Sequence, residues 1–423
     1  IYGYSAALYP HALDLWGRHE EARQCLESLL TFQTSDGLFY LNFGTPDPGA
    51  LLHSICAHYD LTDNATWLCR VAPRMVRMAD WIIQKRRESM TPPDQTKPVT
   101  YGLIRFRPYC DYQDPAYDYF GDTYCAVGLE KTAAVLARVG FTQEAARLGQ
   151  EADAYRRDIL SSMDASVVEK WGRRVLPMEP DTHRLLKSSN DRAAGYYGLI
   201  ASCMLESEFL RADDERASWV MRFMEEKGGL RLRMSEFGGG IDHAYTYGYW
   251  LNCLKLDRVK PVILGFYGSL AYGMSRETYS GVEVTKLLTG DNDPTLPHLY
   301  SCTQQLRLLR MMLLREEGDG LWIGQAIPKH WLASGNIVEV KQAPTAFGDV
   351  SFSIRPDPGR GLIAVELDPP ARRTPGAIYL RLRHPEVRPI RGVNLNGKEL
   401  KTHSLDTIKL ESPRGVQKIE VKY

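Results

Sequence analysis

The stretch PYCDYQDPAYDYFGDTY, Pro108 to Tyr124, holds four aspartates and five tyrosines but no Lys, Arg or Glu. It runs directly into CAVGLEKTAAVLARV, whose apolar residues recur at helical spacing. A solvated loop would mix in Lys, Ser and Gly, and a core segment would not carry Asp111, Asp114, Asp118 and Asp122. The stretch therefore reads as the end of a long loop that delivers acids and aromatic side chains to the N-terminus of a helix. Asp122 stands near the capping position of that helix, and capping alone would account for it. Capping does not account for the other three acids or for the interleaved Tyr112, Tyr117 and Tyr119.

The same junction recurs. From Tyr4 to about Glu317 the apolar period is near 3.6, which predicts eleven helices over 4–16, 19–33, 48–59, 65–88, 121–138, 142–163, 191–210, 214–227, 241–255, 257–274 and 298–316. Connections after odd-numbered helices are short, as at Gly17-Arg18, Asp60–Asn64, Val139–Phe141, Arg211–Asp213 and Leu256. Those after even-numbered helices are long: 34–47, 89–120, 164–190, 228–240 and 275–297. Helical hairpins arranged in a ring give that asymmetry, with function on the elaborated end. The expected fold is mainly α, an (α/α)6 toroid whose first outer helix would lie upstream of Ile1. An open superhelix of helix pairs is the alternative, but the loops vary in length and no fixed repeat is visible.

After Gly318 the pattern changes to alternating apolar and polar residues between Gly, Pro and Asn turns, as in GLIAVELDPP and VQKIEVKY. Two domains are expected, a helical one over 1–318 and a small antiparallel β-sandwich over 319–423.

The 423 residues carry 52 basic and 52 acidic side chains, a balance that argues against nucleic acid or an anionic membrane as the main partner. No apolar run of about 20 residues predicts a membrane span. The chain begins at Ile1 without a signal peptide, as a processed or trimmed product would. None of the eight cysteines forms a C-x-x-C pair, so neither a zinc site nor another metal is called for, and most are expected as buried thiols. No phosphate or dinucleotide loop occurs and no cofactor is implied. The NAT at Asn64 fits a glycosylation acceptor.

The chemistry lies in the long loops. RMSEFGGGIDHAYTYGYW offers Glu236, Asp242, His243, Tyr245 and Trp250; MEPDTHRLLKSSNDRAAGYY offers Glu179, Asn190, Arg192 and Tyr196; SRETYSGVEVTKLL offers Glu277 and Glu283. Carboxylates among aromatic rings suit sugars, because rings stack on the C–H faces of pyranoses and carboxylates bind hydroxyls or move protons. A carbohydrate is the expected partner, which favours a secreted or periplasmic protein while leaving the cytoplasm open. Hydrolysis of a glycoside needs two carboxyl groups flanking the scissile bond, and Asp118 or Asp114 with Glu283 or Glu277 would supply them. A uronate lyase is the second reading, with His243 or Tyr245 as base and Asn190 and Arg192 neutralising the uronate. A non-catalytic glycan-binding toroid is the third.

At this point the layout resembles the six-hairpin glycosidases, most closely the α-L-rhamnosidases. DYQDPAYDYFGD resembles that family's acidic loop, in which an Asp and a Glu precede an aromatic-x-Gly-Asp element; Tyr119 to Asp122 would be that element. YSGVEVTKL resembles the segment holding the family's general-base Glu, and Glu283 is the matching position. The segment from Ile323 to Ile354 resembles the join to the family's β-sandwich. The resemblance implies an exo-acting hydrolase of a terminal sugar on a plant or microbial glycan, with Glu283 as base. The family's acidic Glu has no Glu here, so Asp118 or Asp114 would protonate the leaving oxygen. Asp111, Asp122, Glu236, Asp242, His243 and Arg192 would bind the sugar, and Tyr112, Tyr119 and Trp250 would form platforms.

Overall fold

The computed structural model describes residues 2–92, 94–182, 195–275, 280–292, 297–401 and 403–423. The chain divides into two compact units, one of residues 1–12 and 19–305, the other of 13–18 and 306–423. The sequence-derived boundary at 318 lies inside the second.

The helices are α1 (Gly3–Leu15), α2 (His19–Leu30), α3 (Pro46–Thr62), α4 (Ala65–Arg87), α5 (Tyr119–Arg138), α6 (Thr142–Ser166), α7 (Tyr196–Glu206), α8 (Glu215–Glu226), α9 (Tyr247–Lys255), α10 (Val259–Tyr272) and α11 (Leu299–Leu313). None of the described helices is long and apolar enough to cross a membrane. Two ends differ from expectation. Residues 241–242 lie in a strand, Gly240–Asp242, because they pair with Val284–Lys286 far along the chain. Leu314–Glu317 is likewise a strand, paired antiparallel with Gly320–Ile323. The stretch predicted to open α7 at 191–194 lies outside the described residues.

Burial separates the helices into two kinds. In α6 the buried positions are Ala145, Leu148, Ala152, Tyr155, Ile159, Ser162, Met163 and Ser166, a single stripe at three- and four-residue steps. In α5, 15 of 20 residues are buried, with exposed positions only from Glu130 onward, and in α7 10 of 11, so these helices are enclosed over most of their length. The packing follows: α3, α5, α7 and α9 contact one another in succession, while α4, α6, α8 and α10 each pack on the odd helix before them. The α3–α5 contact is backbone to backbone. A Cβ on Gly49 would stand 2.4 Å from the Tyr124 carbonyl, and Gly128 faces Gly49 itself. In the same unit Tyr4 of α1 packs edge-on against Tyr300 of α11, Tyr124 and Phe120.

The second unit has two sheets, Leu314–Glu317, Gly320–Ile323, Ala377–Arg381 and Thr407–Glu411 in one, and six strands from Val338–Ala343 to Gln417–Lys422 in the other. One buried cluster draws on both, including Leu321, Ile378 and Ile408 from the first and Phe352, Val365 and Ile419 from the second. The strands are not all antiparallel as expected: Gly320–Ile323 and Ala377–Arg381 run parallel.

Candidate active site

Backbone hydrogen bonds link the segments at the N-terminal ends of the odd helices one to the next. Gly3 N–H, opening α1, donates to the Leu41 carbonyl at 2.5 Å, and Thr45, before α3, donates to Arg107 at 2.8 Å. Tyr119, the first residue of α5, donates to Met178 at 3.1 Å, and Gly195, before α7, donates to Glu236 at 3.1 Å. His243, before α9, donates to Glu283 at 2.8 Å, and His298, before α11, donates to Gly281 at 2.8 Å. The long loops are thus linked in a row from α1 to α11, and Asp111, Asp114 and Glu283 lie on them with part of their surface open.

An aromatic wall crosses these loops. The Tyr112 ring lies 5.9 Å from Tyr109, Tyr109 lies 4.9 Å from Tyr196, and Tyr196 lies 5.0 Å from Phe237. The Tyr196 hydroxyl donates to Asp111 Oδ2 at 2.6 Å. The Tyr196 phenol is pushed up, first by burial, then by its bond to Asp111 and by the charges of Asp111, Cys110 and Glu283. Tyr2, half exposed at the start of α1, is raised by Cys110, by burial, and by Asp111 and Glu283, against the lowering effect of Arg107. The two phenols therefore feel the same two carboxylates, one from the loop before α5 and one from the loop before α11. Glu283 is 29% exposed and its Oε1 stands 3.6 Å from His298 Nε2. Asp114 is exposed on the same loop as Asp111.

Several expected site residues are placed elsewhere. Asp118 is 1% exposed and caps α5, its Oδ1 accepting from Gly121 N–H at 2.7 Å. Burial, then the charges of Asp122 and Glu179, hold its carboxyl far above the usual range. Asp122 is fully buried, its Oδ1 accepting from Ile104 N–H at 2.9 Å and from the Tyr155 hydroxyl, and burial raises it to about 7. Tyr119 is also fully buried, with its hydroxyl on Ser162 and Ser166 of α6, so it is no platform. Nor is Trp250, which is 1% exposed, donates to the Arg233 carbonyl at 2.7 Å and covers Gly265.

Asp242 is buried and accepts from the Ala244 and Tyr245 N–H groups at 2.8 and 3.0 Å; burial raises it to about 8. His243 is buried with Nε2 3.1 Å from Thr285 Oγ1, and burial lowers it to about 4, so at neutral pH it is uncharged. Glu236 pairs with Arg231 at 3.1 Å. Glu277, Arg192 and Asn190 lie outside the described residues. Sequence reasoning missed Tyr2, a single aromatic residue at the chain start with no pattern around it, and Arg107, whose Nη1 donates to the Tyr40 hydroxyl at 2.7 Å.

No protein-family model matches the chain, and no curated protein matches it. Among solved structures, its fold is similar to that of the α-L-rhamnosidase from Dictyoglumus thermophilum, with a TM-score of 0.57 at 7% identity, over 100% of this chain and 46% of that one. A rhamnosidase of Bacillus sp. GL1 gives 0.56 at 12% identity, over 84% of this chain and 36% of that one. A bacterial glucoamylase complexed with acarbose gives 0.50 at 12% identity, over 73% of this chain and 48% of that one. The chain thus spans less than half the length of the proteins whose fold it shares.

Proposed function

We propose that the helical unit is an (α/α)6 toroid of six hairpins and that its mouth is the active site of a glycoside hydrolase acting on a terminal sugar. The observation that carries this reading is a pair of accessible carboxylates on loops of different hairpins: Asp111, whose Oδ2 accepts from the Tyr196 hydroxyl of the aromatic wall at 2.6 Å, and Glu283, 29% exposed on the backbone segment that His243 fixes. Glycoside hydrolysis asks for two carboxyl groups across one scissile bond, with rings to hold the sugar. Glu283 is the base: it takes a proton from water as the oxygen attacks the anomeric carbon. The facing acid gives its proton to the leaving oxygen. Asp111 fits that role better than Asp118, which at 1% exposure cannot touch a glycosidic oxygen. Asp114, three residues further along the same exposed loop, is the remaining donor. Tyr112 and Tyr196 form the platform.

The lyase reading loses one of its two candidate bases, because His243 is 1% exposed and faces Thr285, which leaves Tyr245. The similar folds make rhamnose and glucose the first sugars to try. The test is release of phenol from aryl α-L-rhamnoside and aryl α-D-glucoside, with absorbance of a conjugated product from uronate polymers followed in parallel. Release abolished in Glu283→Gln supports the reading. A conjugated product, or release indifferent to Glu283→Gln, overturns it.

A further inference from the structure

We propose that a groove between the hairpin at 168–175 and the C-terminal half of α8 is a second, non-catalytic binding site for an acidic sugar ring. The groove is shallow and open to solvent. Its lining includes Trp171, Trp219, Arg173, Arg174, Arg222 and Lys227.

The turn of the hairpin is the first observation. Strands Val168–Lys170 and Arg173–Val175 pair up to Lys170 opposite Arg173, which leaves Trp171 and Gly172 as a two-residue turn. Both have positive φ, +54° and +70°. Asn-Gly makes such a turn without strain, whereas an indole in the left-handed region is strained. Trp171 is also 49% exposed. The turn does not ask for tryptophan here, and strain that the turn does not require points to a displayed group.

The display is organised. Phe223 stacks on Trp171 at 6.0 Å and 13°, and the Lys227 ammonium sits 4.1 Å above the indole. The Arg174 guanidinium lies 5.4 Å over Trp219. Cations held on aromatic faces keep their N–H donors turned outward.

Charge then selects the ligand. Four cations line the groove, Arg173, Arg174, Arg222 and Lys227, against one carboxylate, Glu226, which already pairs with Arg173 at 2.7 Å. Arg174 leans on Glu169 and Glu215, at 3.5 Å from each. Arg222 and Lys227 have no carboxylate partner among the described residues. A ligand with an apolar C–H face and an anionic substituent satisfies both features: its apolar face lies against the exposed part of Trp171 and its carboxylate on Arg222 and Lys227.

The place fits an accessory site. The hairpin belongs to the segment whose Met178 carbonyl accepts from Tyr119 at the start of α5. The proposal rests on the glycosidase reading only in taking a saccharide as the carrier of the anion.

The experiment is affinity electrophoresis of the whole chain through gels containing polygalacturonate, its fully methyl-esterified form, or no polymer, with single-stranded poly-dT titrated separately. Polygalacturonate should retard the protein, and retardation should fade with salt. Trp171→Gly should weaken binding tenfold or more while melting at or above the parent, because glycine relieves the turn; a double Arg222→Gln, Lys227→Gln variant should bind as weakly. Glu283→Gln should bind like the parent, and such binding would persist even if no glycoside were hydrolysed. The proposal falls if the parent is not retarded, if the esterified polymer or poly-dT binds as tightly, if the groove variants bind like the parent, or if Glu283→Gln abolishes binding.

Discussion

The main-chain N–H of His243 donates to the carbonyl of Glu283 across 2.8 Å. The bond continues the pairing of Gly240–Asp242 with Val284–Lys286, so the segment entering α9 fixes the backbone of the segment that leads to α11. Glu283 is therefore held by a sheet although it lies in a long loop, and its side chain keeps 29% of its surface open. A base must combine a fixed position with access to water.

Glu283→Gln should lower turnover by about 10²–10⁴-fold, the usual contribution of a general base. Gln keeps the size and the acceptor oxygen, so affinity for a non-hydrolysed sugar should stay within about threefold. Steady-state kinetics and sugar titration on the same preparation separate the two. Unchanged turnover would remove Glu283 from the chemistry.

Asp118 should behave as a cap. Asp118→Ala removes the acceptor for Gly121 N–H and should cost about 1 kcal/mol in urea unfolding. Asp118→Asn keeps the cap and resembles the protonated carboxyl that burial enforces, so activity should stay within a few-fold of the parent. A loss of 10²-fold or more in Asp118→Asn, with stability intact, would return the acid role to this residue.

Gly49→Ala tests the contact between α3 and α5. The added Cβ would lie 2.4 Å from the Tyr124 carbonyl oxygen, a backbone atom that cannot step aside. Overpacking of this kind costs about 1–3 kcal/mol and more where backbone must move. The melting temperature should fall by several degrees, whereas Gly149→Ala on α6, with 3.9 Å of room, should be neutral or stabilising. Equal melting of the two variants would argue against the close crossing.

The helices were legible because each buries a face and the period records it. Their ends were less so where a partner distant in sequence decides the structure. Residues 241–242 continue a helical pattern, yet they pair with residues beyond 283. Leu314–Glu317 carries on the rhythm of α11 until the turn at Gly318 folds it against Gly320–Ile323. For the site, composition marked the right loops but not the direction of each side chain. α5 begins at Tyr119, two residues earlier than its pattern suggests. Tyr119 and Asp122 thereby fall on the side facing α6, where Ser162, Ser166 and Tyr155 receive them. Asp111 and Tyr112 precede the helix and stay in the loop.

The buried acids set the pH dependence of stability. Asp122 titrates near 3.8 when exposed and near 7 in the fold, so between those values the folded state holds a proton that the unfolded state has lost. Its contribution is complete below about pH 4 and disappears as pH rises through 7. Asp47, raised by burial to about 7, and Asp242, raised to about 8, act in the same direction. His243 acts in the opposite direction. Lowered from 6.5 to about 4, it stabilises fully above pH 6.5, and that gain is lost as pH falls towards 4. Three carboxyls outweigh one imidazole, so unfolding free energy should fall from pH 5 to pH 8. Asp122→Asn isolates one term. The amide accepts from Ile104 and Tyr155 as the carboxyl does, never ionises, and should leave stability at pH 5 within about 2 kcal/mol of the parent. The decline between pH 5 and 8 should shrink by about 2–3 kcal/mol, the linkage value of the roughly two units between pH 5 and the folded value near 7. Urea unfolding at both pH values measures it; a decline as steep in Asp122→Asn as in the parent would mean that Asp122 is ionised in the fold.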